Sequence, residues 1–344
     1  MFKTPKSRGI RYWLIYFMGI MLPVVLVVQN YLTLRESFSI WRLIWIAALI
    51  YIFLAVTQAF RGSVAVRLPI FENDPEILGF KYKDVEFKSR DGLELSGWFI
   101  SPKRDAPLRN GAVIVLTHGY GGNRLSLIKI ARHLVDQGFR VLLYEMRGHG
   151  RSSGDLSTWG WLEVNDLLGA VDYLKTRSDV DINRLGALGY SLGGQVTLRA
   201  AASTELIRAM AADGPSMAAL RDHFLSPRLS LRKIILLPWL WTVYTLQTVI
   251  TGVPQPPGVV EEISRISPRP LLLISCGEGS EQKVVRHFFA AAGEPKELYE
   301  IPEAQHAEGI LARPEEYEQK LVDFFVRGLD LASPHDKQAV SPPA

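Results

Sequence analysis

The sequence lacks the features that mark several classes of protein. Its single cysteine, Cys276, excludes an intramolecular disulfide, and neither a cysteine cluster nor an H-E-x-x-H pattern is present to bind a metal. We therefore expect no metal or other cofactor. Most of the chain also lacks an excess of charge, because four cations within residues 1–11 account for the whole formal net charge of +4. The rest of the chain has equal numbers of basic and acidic residues and therefore lacks the excess of cations that a nucleic-acid-binding face requires. Nucleic acid is not an expected partner.

Two long uncharged stretches stand near the start of the chain. Residues 12–34 form a run of 23 residues without a charge, and residues 43–60 form another of 18. About 20 apolar residues cross a bilayer core as a helix, so the first run is long enough and the second barely so. Aromatic residues lie near the ends of both runs, as at membrane interfaces: Tyr12, Trp13, Tyr31, Trp41 and Trp45. We predict two transmembrane helices that form a membrane anchor over residues 1–70.

The distribution of cations predicts how this anchor is oriented. Several cations precede the first run, but only Arg35 and Arg42 lie in the connecting loop. Arg61 and Arg67 follow the second run. The positive-inside rule then places both ends, and the large C-terminal domain, on the cytoplasmic side, with bilayer lipids as a partner. A cleavable signal peptide is the alternative for the first run, but its apolar stretch would be shorter and would end at a small-residue cleavage site.

From about residue 83, short apolar runs alternate with amphipathic helical stretches. A strand pair around a turn at Asp91 and Gly92 is followed by six runs of buried-strand length: 112–118, 139–145, 184–190, 207–213, 270–276 and 297–303. Helical periodicity appears at 125–136, 161–177, 192–203, 282–292 and 314–327. This alternation predicts an α/β domain with a mostly parallel sheet covered on both faces. We place the domain at residues 75–330 and expect the proline-containing tail 331–344 to be disordered.

The stretch LGYSLGGQ, residues 188–195, places Ser191 between a buried strand and a helix. A serine in the pattern G-x-S-x-G at a sharp strand-to-helix turn is the nucleophile elbow. Gly189 and Gly193 suit this turn, because a β-carbon at either position would collide with neighbouring backbone. The helix aims its N-terminal dipole and the Leu192 amide at a developing oxyanion. A structural serine in a small-residue turn is the alternative, and the strand and helix context favours the nucleophile.

Two further segments supply partners for this serine. The loop after the run 112–118 reads HGYGG, and the amide of Tyr120 is the second predicted oxyanion donor. We expect His118 to hold that loop by hydrogen bonds. Chain order in such an architecture places the catalytic histidine after the last strand, where His306 lies. The remaining histidines lie on helices, in other loops or in the tail: His133, His149, His223, His287 and His335.

With these segments in this order, the chain resembles the α/β-hydrolase superfamily from about residue 75 to 330. Four motifs carry the resemblance: HGYGG at 118–122, YEMRGHGRSSG at 144–154, GYSLG at 189–193 and EAQH at 303–306. The resemblance implies an α/β-hydrolase fold, with Ser191 as nucleophile and His306 as general base. It also implies an oxyanion hole formed by the amides of Tyr120 and Leu192.

In this family an acidic residue completes a catalytic triad with the serine and the histidine. The acidic residues of this chain depart from the family pattern. The family usually carries an Asp a few residues past the penultimate strand, whereas PLLLISCGEGSEQ contains Glu278 and Glu281 and no Asp. A glutamate orients a histidine equally well, and Glu281, nearest the usual position, is our predicted third member. Asp213, at the end of the run 207–213, and Glu278 remain alternatives. Each of the three acids could instead be a solvated charge or a helix cap.

A long insertion at about residues 216–258 interrupts the alternation. Residues 234–260 carry no charge and include Trp239 and Trp241. A third membrane span is disfavoured, because it would put the predicted nucleophile and histidine on opposite sides of the bilayer. We interpret the insertion as a helical cap over the active site. Its apolar residues either pack on the domain or form an acyl-binding or membrane-dipping surface around the two tryptophans.

These features predict a membrane-anchored serine hydrolase of the carboxylesterase or lipase type. The apolar cap and the anchor favour a hydrophobic or lipid-like ester as the small-molecule substrate. A thioesterase or a serine peptidase would use the same triad. A catalytically inactive, membrane-bound binding protein is the alternative from another class, and the irregular acid position favours it.

Overall fold

The computed structural model describes most of the domain and parts of the N-terminal region. The described residues are 20–29, 31, 40–64, 82–103, 106–107, 109–223 and 231–330, without the side chains of residues 231–234. Two helices precede the domain, α1 (Ile20–Gln29) and α2 (Ile40–Ser63). The tail 331–344, predicted to be disordered, lies outside the described residues.

Eight strands form one sheet. They are β1 (Tyr82–Lys88), β2 (Glu94–Ile100), β3 (Val113–Thr117), β4 (Arg140–Tyr144), β5 (Leu185–Tyr190), β6 (Ile207–Asp213), β7 (Leu271–Cys276) and β8 (Lys296–Ile301). Their order is β1-β2-β4-β3-β5-β6-β7-β8. Strand β2 pairs antiparallel with β1 and β4, and every other pairing is parallel. The predicted strands and the mostly parallel sheet are therefore confirmed.

Helices alternate with most of these strands along the chain. They are α3 (Ile128–Asp136), α4 (Glu163–Lys175), α5 (Leu192–Ser203), α6 (Leu231–Thr251), α7 (Val259–Glu262), α8 (Ser280–Ala291), α9 (Gly309–Ala312) and α10 (Pro314–Gly328). Short 3-10 turns lie at Arg124–Leu127, Ile182–Arg184, Leu220–His223 and Ile263–Ile266. The five helical stretches that the periodicity predicts all form helix, with ends shifted by a few residues.

Two apolar layers enclose the sheet. Helices α4, α5 and α8 pack with Val113 and Val115 on one face, whereas α3 and α10 pack with Ile114 and Leu116 on the other. Successive side chains of a strand point to opposite faces, so a strand covered on both sides needs an apolar residue at every position. This explains the continuous apolar runs. The parallel strands end at one edge of the sheet, where the loops after them meet.

Helix α2 is the one helix in the described part of the chain that is long and apolar enough to cross a membrane. Its 24 residues exceed the roughly 20 that a bilayer core requires. Helix α1 is apolar but shorter than a span, and the rest of the predicted span 12–34 lies outside the described residues. One candidate span is therefore described where the sequence predicted two.

The described part of the insertion 216–258 contains one long helix, α6, which packs alongside α2. The hydroxyls of Tyr51 and Thr242 lie 2.9 Å apart, and the rings of Tyr51 and Trp239 meet edge to face with centroids 5.5 Å apart. Small and branched residues form a buried cluster between the two helices: Ala55, Ala59, Val243 and Ile250. Trp241, by contrast, is 59% exposed. The structure thus separates the two tryptophans that we had placed on one surface, since Trp239 packs against α2.

Candidate active site

Ser191 occupies the sharp turn between β5 and α5. Its backbone has φ 53° and ψ −114°, a conformation that is strained for any residue with a β-carbon. A β-carbon on Gly189 would collide with the carbonyl of Gly193, and one on Gly193 would collide with the carbonyls of the β3 end. The Ser191 amide donates a hydrogen bond to the Asp213 carbonyl at 2.8 Å. Close packing with both neighbouring strands thus holds the turn in its strained form.

A chain of hydrogen bonds runs from Ser191 through His306 to Glu281. The Ser191 hydroxyl lies 2.9 Å from His306 Nε2, and His306 Nδ1 lies 2.5 Å from Glu281 Oε2. An imidazole that donates its Nδ1 proton to the carboxylate presents an unprotonated Nε2 to the serine. The hydrogen bond to Glu281 raises the pKa of His306, and partial burial opposes the shift. In this arrangement, His306 Nε2 can accept the proton of the Ser191 hydroxyl.

Glu281 is fixed by contacts at both of its carboxylate oxygens. Oε2 accepts from His306, and Oε1 accepts from the Cys276 backbone amide at 2.7 Å. Glu281 lies in the first turn of α8, which follows β7, and His306 lies in the loop after β8. Neighbouring parallel strands thus bring the two side chains to the same edge of the sheet.

The other two acids do not bond to His306. Asp213 is fully buried, and its carboxylate accepts from the Tyr317 hydroxyl at 2.7 Å and from the Cys276 thiol at 3.5 Å. Burial raises the pKa of Asp213 to about 6. Glu278 is exposed and forms no hydrogen bond or ion pair with any described residue. Of the three candidate acids, only Glu281 is placed against the histidine.

Three neighbouring side chains, one of them that of Glu281, carry atoms that can bind a metal. Asp213, Cys276 and Glu281 offer ligand atoms that lie within 4.8 Å of one another. Both carboxylates already accept hydrogen bonds from protein groups. Burial raises the pKa of the Cys276 thiol, which disfavours the thiolate that binds metals. We interpret the cluster as hydrogen-bonded support for Glu281.

The two predicted oxyanion donors flank Ser191. Tyr120 follows Gly119, where an added β-carbon would lie 3.3 Å from the Ser191 β-carbon. Leu192 is the first residue of α5, and the first amides of a helix have no partner within it. Within the described part of the chain, neither amide donates a hydrogen bond to another protein group. Both are available to an oxyanion that develops beside Ser191.

Two buried histidines, His118 and His149, support the loop that carries Tyr120. His118 Nδ1 donates to the Gly119 carbonyl at 2.7 Å, while its Nε2 accepts from the Met146 amide at 3.1 Å. Burial lowers the pKa of His118 to about 3, so the ring is neutral. His149 Nε2 accepts from the Gly121 amide at 3.2 Å. The sequence predicted the role of His118 and missed that of His149, although the glycines around it in the RGHG segment indicate a tight loop.

Gly214, which no sequence motif marks, lies against His306 and Glu281. A β-carbon there would lie 2.8 Å from His306 Cε1 and 3.2 Å from Glu281 Oε1, and its φ is +53°. Its position directly after a buried strand is the only signal that the sequence offers. The absence of a side chain at Gly214 leaves room for the imidazole.

An apolar groove of about 380 Å³ begins beside Ser191. It lies between the N-terminal end of α3 and helix α9, and its main lining side chains are Tyr120, Leu125, Ile128, Tyr190, Ile310 and Leu311. Among the described residues that line the groove, none belongs to α6. Trp239 and Trp241 therefore do not line this groove, because α6 packs against α2 instead.

Comparisons with known proteins extend the resemblance beyond short motifs. The family model for the alpha/beta hydrolase fold matches residues 112–249. The uncharacterized protein YfhR of Escherichia coli strain K12 is 30% identical over 259 residues, which cover 72% of this chain and 82% of YfhR. An uncharacterized protein of Mycobacterium tuberculosis is 27% identical over 65% of this chain and 72% of its own. A solved esterase of Pyrococcus furiosus is 25% identical with a TM-score of 0.58, covering 76% of this chain and 99% of the esterase.

Proposed function

The chain belongs to the α/β-hydrolase family, and we propose that within this family it is a membrane-anchored serine hydrolase that cleaves carboxylic esters. The observation that carries the proposal is the hydrogen-bonded chain of Ser191, His306 and Glu281. A serine is a weak nucleophile unless a base removes its proton, and the base needs a group that fixes its tautomer. The three side chains meet both requirements.

In the first half of the proposed reaction, the ester is converted to an acyl-enzyme. The Ser191 oxygen attacks the ester carbonyl while its proton passes to His306 Nε2. The amides of Tyr120 and Leu192 donate to the oxyanion that forms. Collapse of this intermediate breaks the ester bond, and the imidazolium gives its proton to the leaving alcohol. The acyl group then remains on the serine.

In the second half, water takes the place of the alcohol. His306 accepts a proton from the water as its oxygen attacks the acyl carbonyl, and the same amides bind the second oxyanion. Collapse releases the carboxylic acid and returns the proton to Ser191. Throughout, the Glu281 carboxylate stabilises the imidazolium and holds the ring in place.

We propose hydrophobic or lipid-like esters as the substrates. The groove beside Ser191 is lined mainly by aliphatic and aromatic side chains, which suits an apolar acyl or alcohol group. The end of α2 also contacts the loop of Tyr120, so an α2 that crosses the bilayer would hold the active site at the membrane surface. An ester dissolved in that membrane would be concentrated at the site.

We further propose that α2 crosses the bilayer with the catalytic domain in the cytoplasm. Arg61 lies in the last turn of α2, where a cation fits the cytoplasmic end of a span. A second span within residues 12–34 belongs to the same proposal. Bilayer lipids would then surround the exposed apolar side chains of α2, among them Trp41 and Trp45.

A serine-reactive fluorophosphonate tests the proposal. We expect the probe to label the wild-type protein and the control Ser203→Ala, whose hydroxyl bonds only within α5, but not Ser191→Ala. Hydrolysis of p-nitrophenyl esters of increasing chain length would then define the preferred acyl group. Parallel assays with a thioester and an anilide of that acyl group test the thioesterase and peptidase alternatives. Equal absence of labelling in all three proteins would favour the inactive binding protein.

A further inference from the structure

The C-terminal end of α2 is joined to the oxyanion loop by a hydrogen bond. The Tyr120 hydroxyl donates to the backbone carbonyl of Arg61 at 2.6 Å. Arg61 lies in the last turn of α2, where carbonyls have no partner within the helix and must bond elsewhere. Partial burial raises the pKa of Tyr120, so its hydroxyl stays a donor at neutral pH. The bond therefore satisfies both groups.

The Tyr120 ring is held between two other aromatic side chains. It stacks on Trp159 with centroids 5.4 Å apart and planes 5° apart, and its edge meets the His149 ring. Trp159 is itself fixed, because its carbonyl accepts from Gln195 of α5 at 2.5 Å. Ring packing and the hydroxyl bond together define the position of Tyr120, and hence that of its own backbone amide.

The end of α2 also contacts the loop that carries Trp159. The Ser157 amide donates to the Ser63 carbonyl at 3.2 Å, and Val64 forms an isolated antiparallel bridge with Leu156. A β-carbon on Gly62 would collide with the Trp159 indole, so the helix approaches this loop as closely as a residue without a side chain permits. These contacts give α2 a fixed position relative to the loop.

We propose that α2 is a structural part of the active site, and that its last turn positions the oxyanion hole through the side chain of Tyr120. The inference rests on the proposed serine hydrolase function and extends it. Tyr120 would act twice, as an oxyanion donor through its amide and as a positioning residue through its hydroxyl. Activity would then depend on the placement of the membrane helix against the domain.

The variant Tyr120→Phe tests this in the full-length protein reconstituted in phosphatidylcholine vesicles. It removes the hydroxyl bond to Arg61 and keeps the ring and the amide. We expect kcat for p-nitrophenyl butyrate to fall about tenfold or more with KM little changed, since oxyanion contacts act in the transition state. Rates are expressed per site titrated with fluorophosphonate, which excludes misfolded molecules from the comparison.

Two further variants make the result decisive. Tyr244→Phe is the matched control, because its hydroxyl also forms a hydrogen bond, with His223 Nε2 at 3.1 Å, but lies outside the proposed active site, and we expect wild-type kcat. If Tyr120→Phe keeps kcat within twofold of wild type while Ser191→Ala is inactive, the positioning inference is overturned and the hydrolase function stands. If wild type and Ser191→Ala are equally inactive, the proposed function itself fails.

Discussion

At Glu281, each of the two carboxylate oxygens has its own hydrogen-bond partner. One carboxylate oxygen reaches His306 while the other accepts from the Cys276 amide in the β7 end. Asp213 lies nearby, but its carboxylate accepts hydrogen bonds from Tyr317 and Cys276 and not from His306. The two acids therefore have different electrostatic effects on the same histidine, and pH dependence distinguishes them.

We predict that Glu281→Gln lowers kcat by a factor of about 10² to 10⁴, because the histidine loses the group that fixes its tautomer. His306 must be unprotonated to act as a base, so activity falls as pH drops through its raised pKa. Without the Glu281 carboxylate this acidic limb of the kcat/KM profile should move to lower pH.

The companion variant Asp213→Asn should behave differently. The charge of Asp213 raises the pKa of His306 less than the Glu281 hydrogen bond does, so we expect a smaller shift of the acidic limb and nearly wild-type kcat. The measurement is kcat/KM from pH 5 to 9 for both variants. A large loss in Asp213→Asn with little change in Glu281→Gln would reverse the assignment of the acid.

Gly214 gives a second prediction for a single residue. Gly214→Ala should reduce kcat by about 10² or more, because the new β-carbon would lie 2.8 Å from His306 Cε1 and displace the ring. The matched control is Gly92→Ala, since Gly92 also has a positive φ, +94°, but nothing lies within 4 Å of its added β-carbon. Both variants should lose similar stability, about 1 kcal/mol, in thermal unfolding. Equal kcat in the two variants would show that the collision is harmless.

Among the elements, α3 and α9 rather than α6 define the space next to Ser191. Leu125 precedes α3, and Leu311 lies on α9, where it is 57% exposed. Helix α6 lies instead against α2, where Ala55 and Ala59 are small enough to allow close packing. Among the described residues, those of α6 therefore do not line the groove.

This arrangement predicts chain-length selectivity for Leu125→Trp. A larger side chain in the groove should lower kcat/KM for long p-nitrophenyl esters about tenfold or more and leave the acetate nearly unchanged. Val249→Trp is the control, because Val249 is 58% exposed on α6 and does not line the groove. A uniform decrease for all chain lengths would indicate that the groove does not bind the acyl group.

For the whole molecule, the single buried cysteine offers a direct test of orientation. Cys276 is 2% exposed, so the wild-type protein should not react with a maleimide that cannot cross membranes. Lys175→Cys places a thiol on an exposed position of the domain. We expect labelling in inverted vesicles and after permeabilisation, but not in intact cells. Labelling of intact cells would place the domain outside the cytoplasm.

Much of the fold follows from local patterns in the sequence. The apolar runs give β3 to β7 nearly to the residue, because strands covered on both faces carry few polar side chains in their middle. The edge strand β8 carries Glu297 and Glu300 and is only partly buried. The elbow around Ser191 and the loop of Tyr120 were also predictable, since glycines mark the positions where backbones approach closely. His306 followed from chain order alone.

The sequence by itself determined the fold family, the candidate nucleophile and the candidate base, because these depend on local patterns and on their order along the chain. Only the tertiary structure decided which acid reaches His306, where α6 packs, and that Gly214, His149 and Arg61 border the site. These depend on contacts between segments far apart in the chain, such as Tyr120 with the end of α2. No periodicity or motif records such contacts, since side-chain packing across elements sets them.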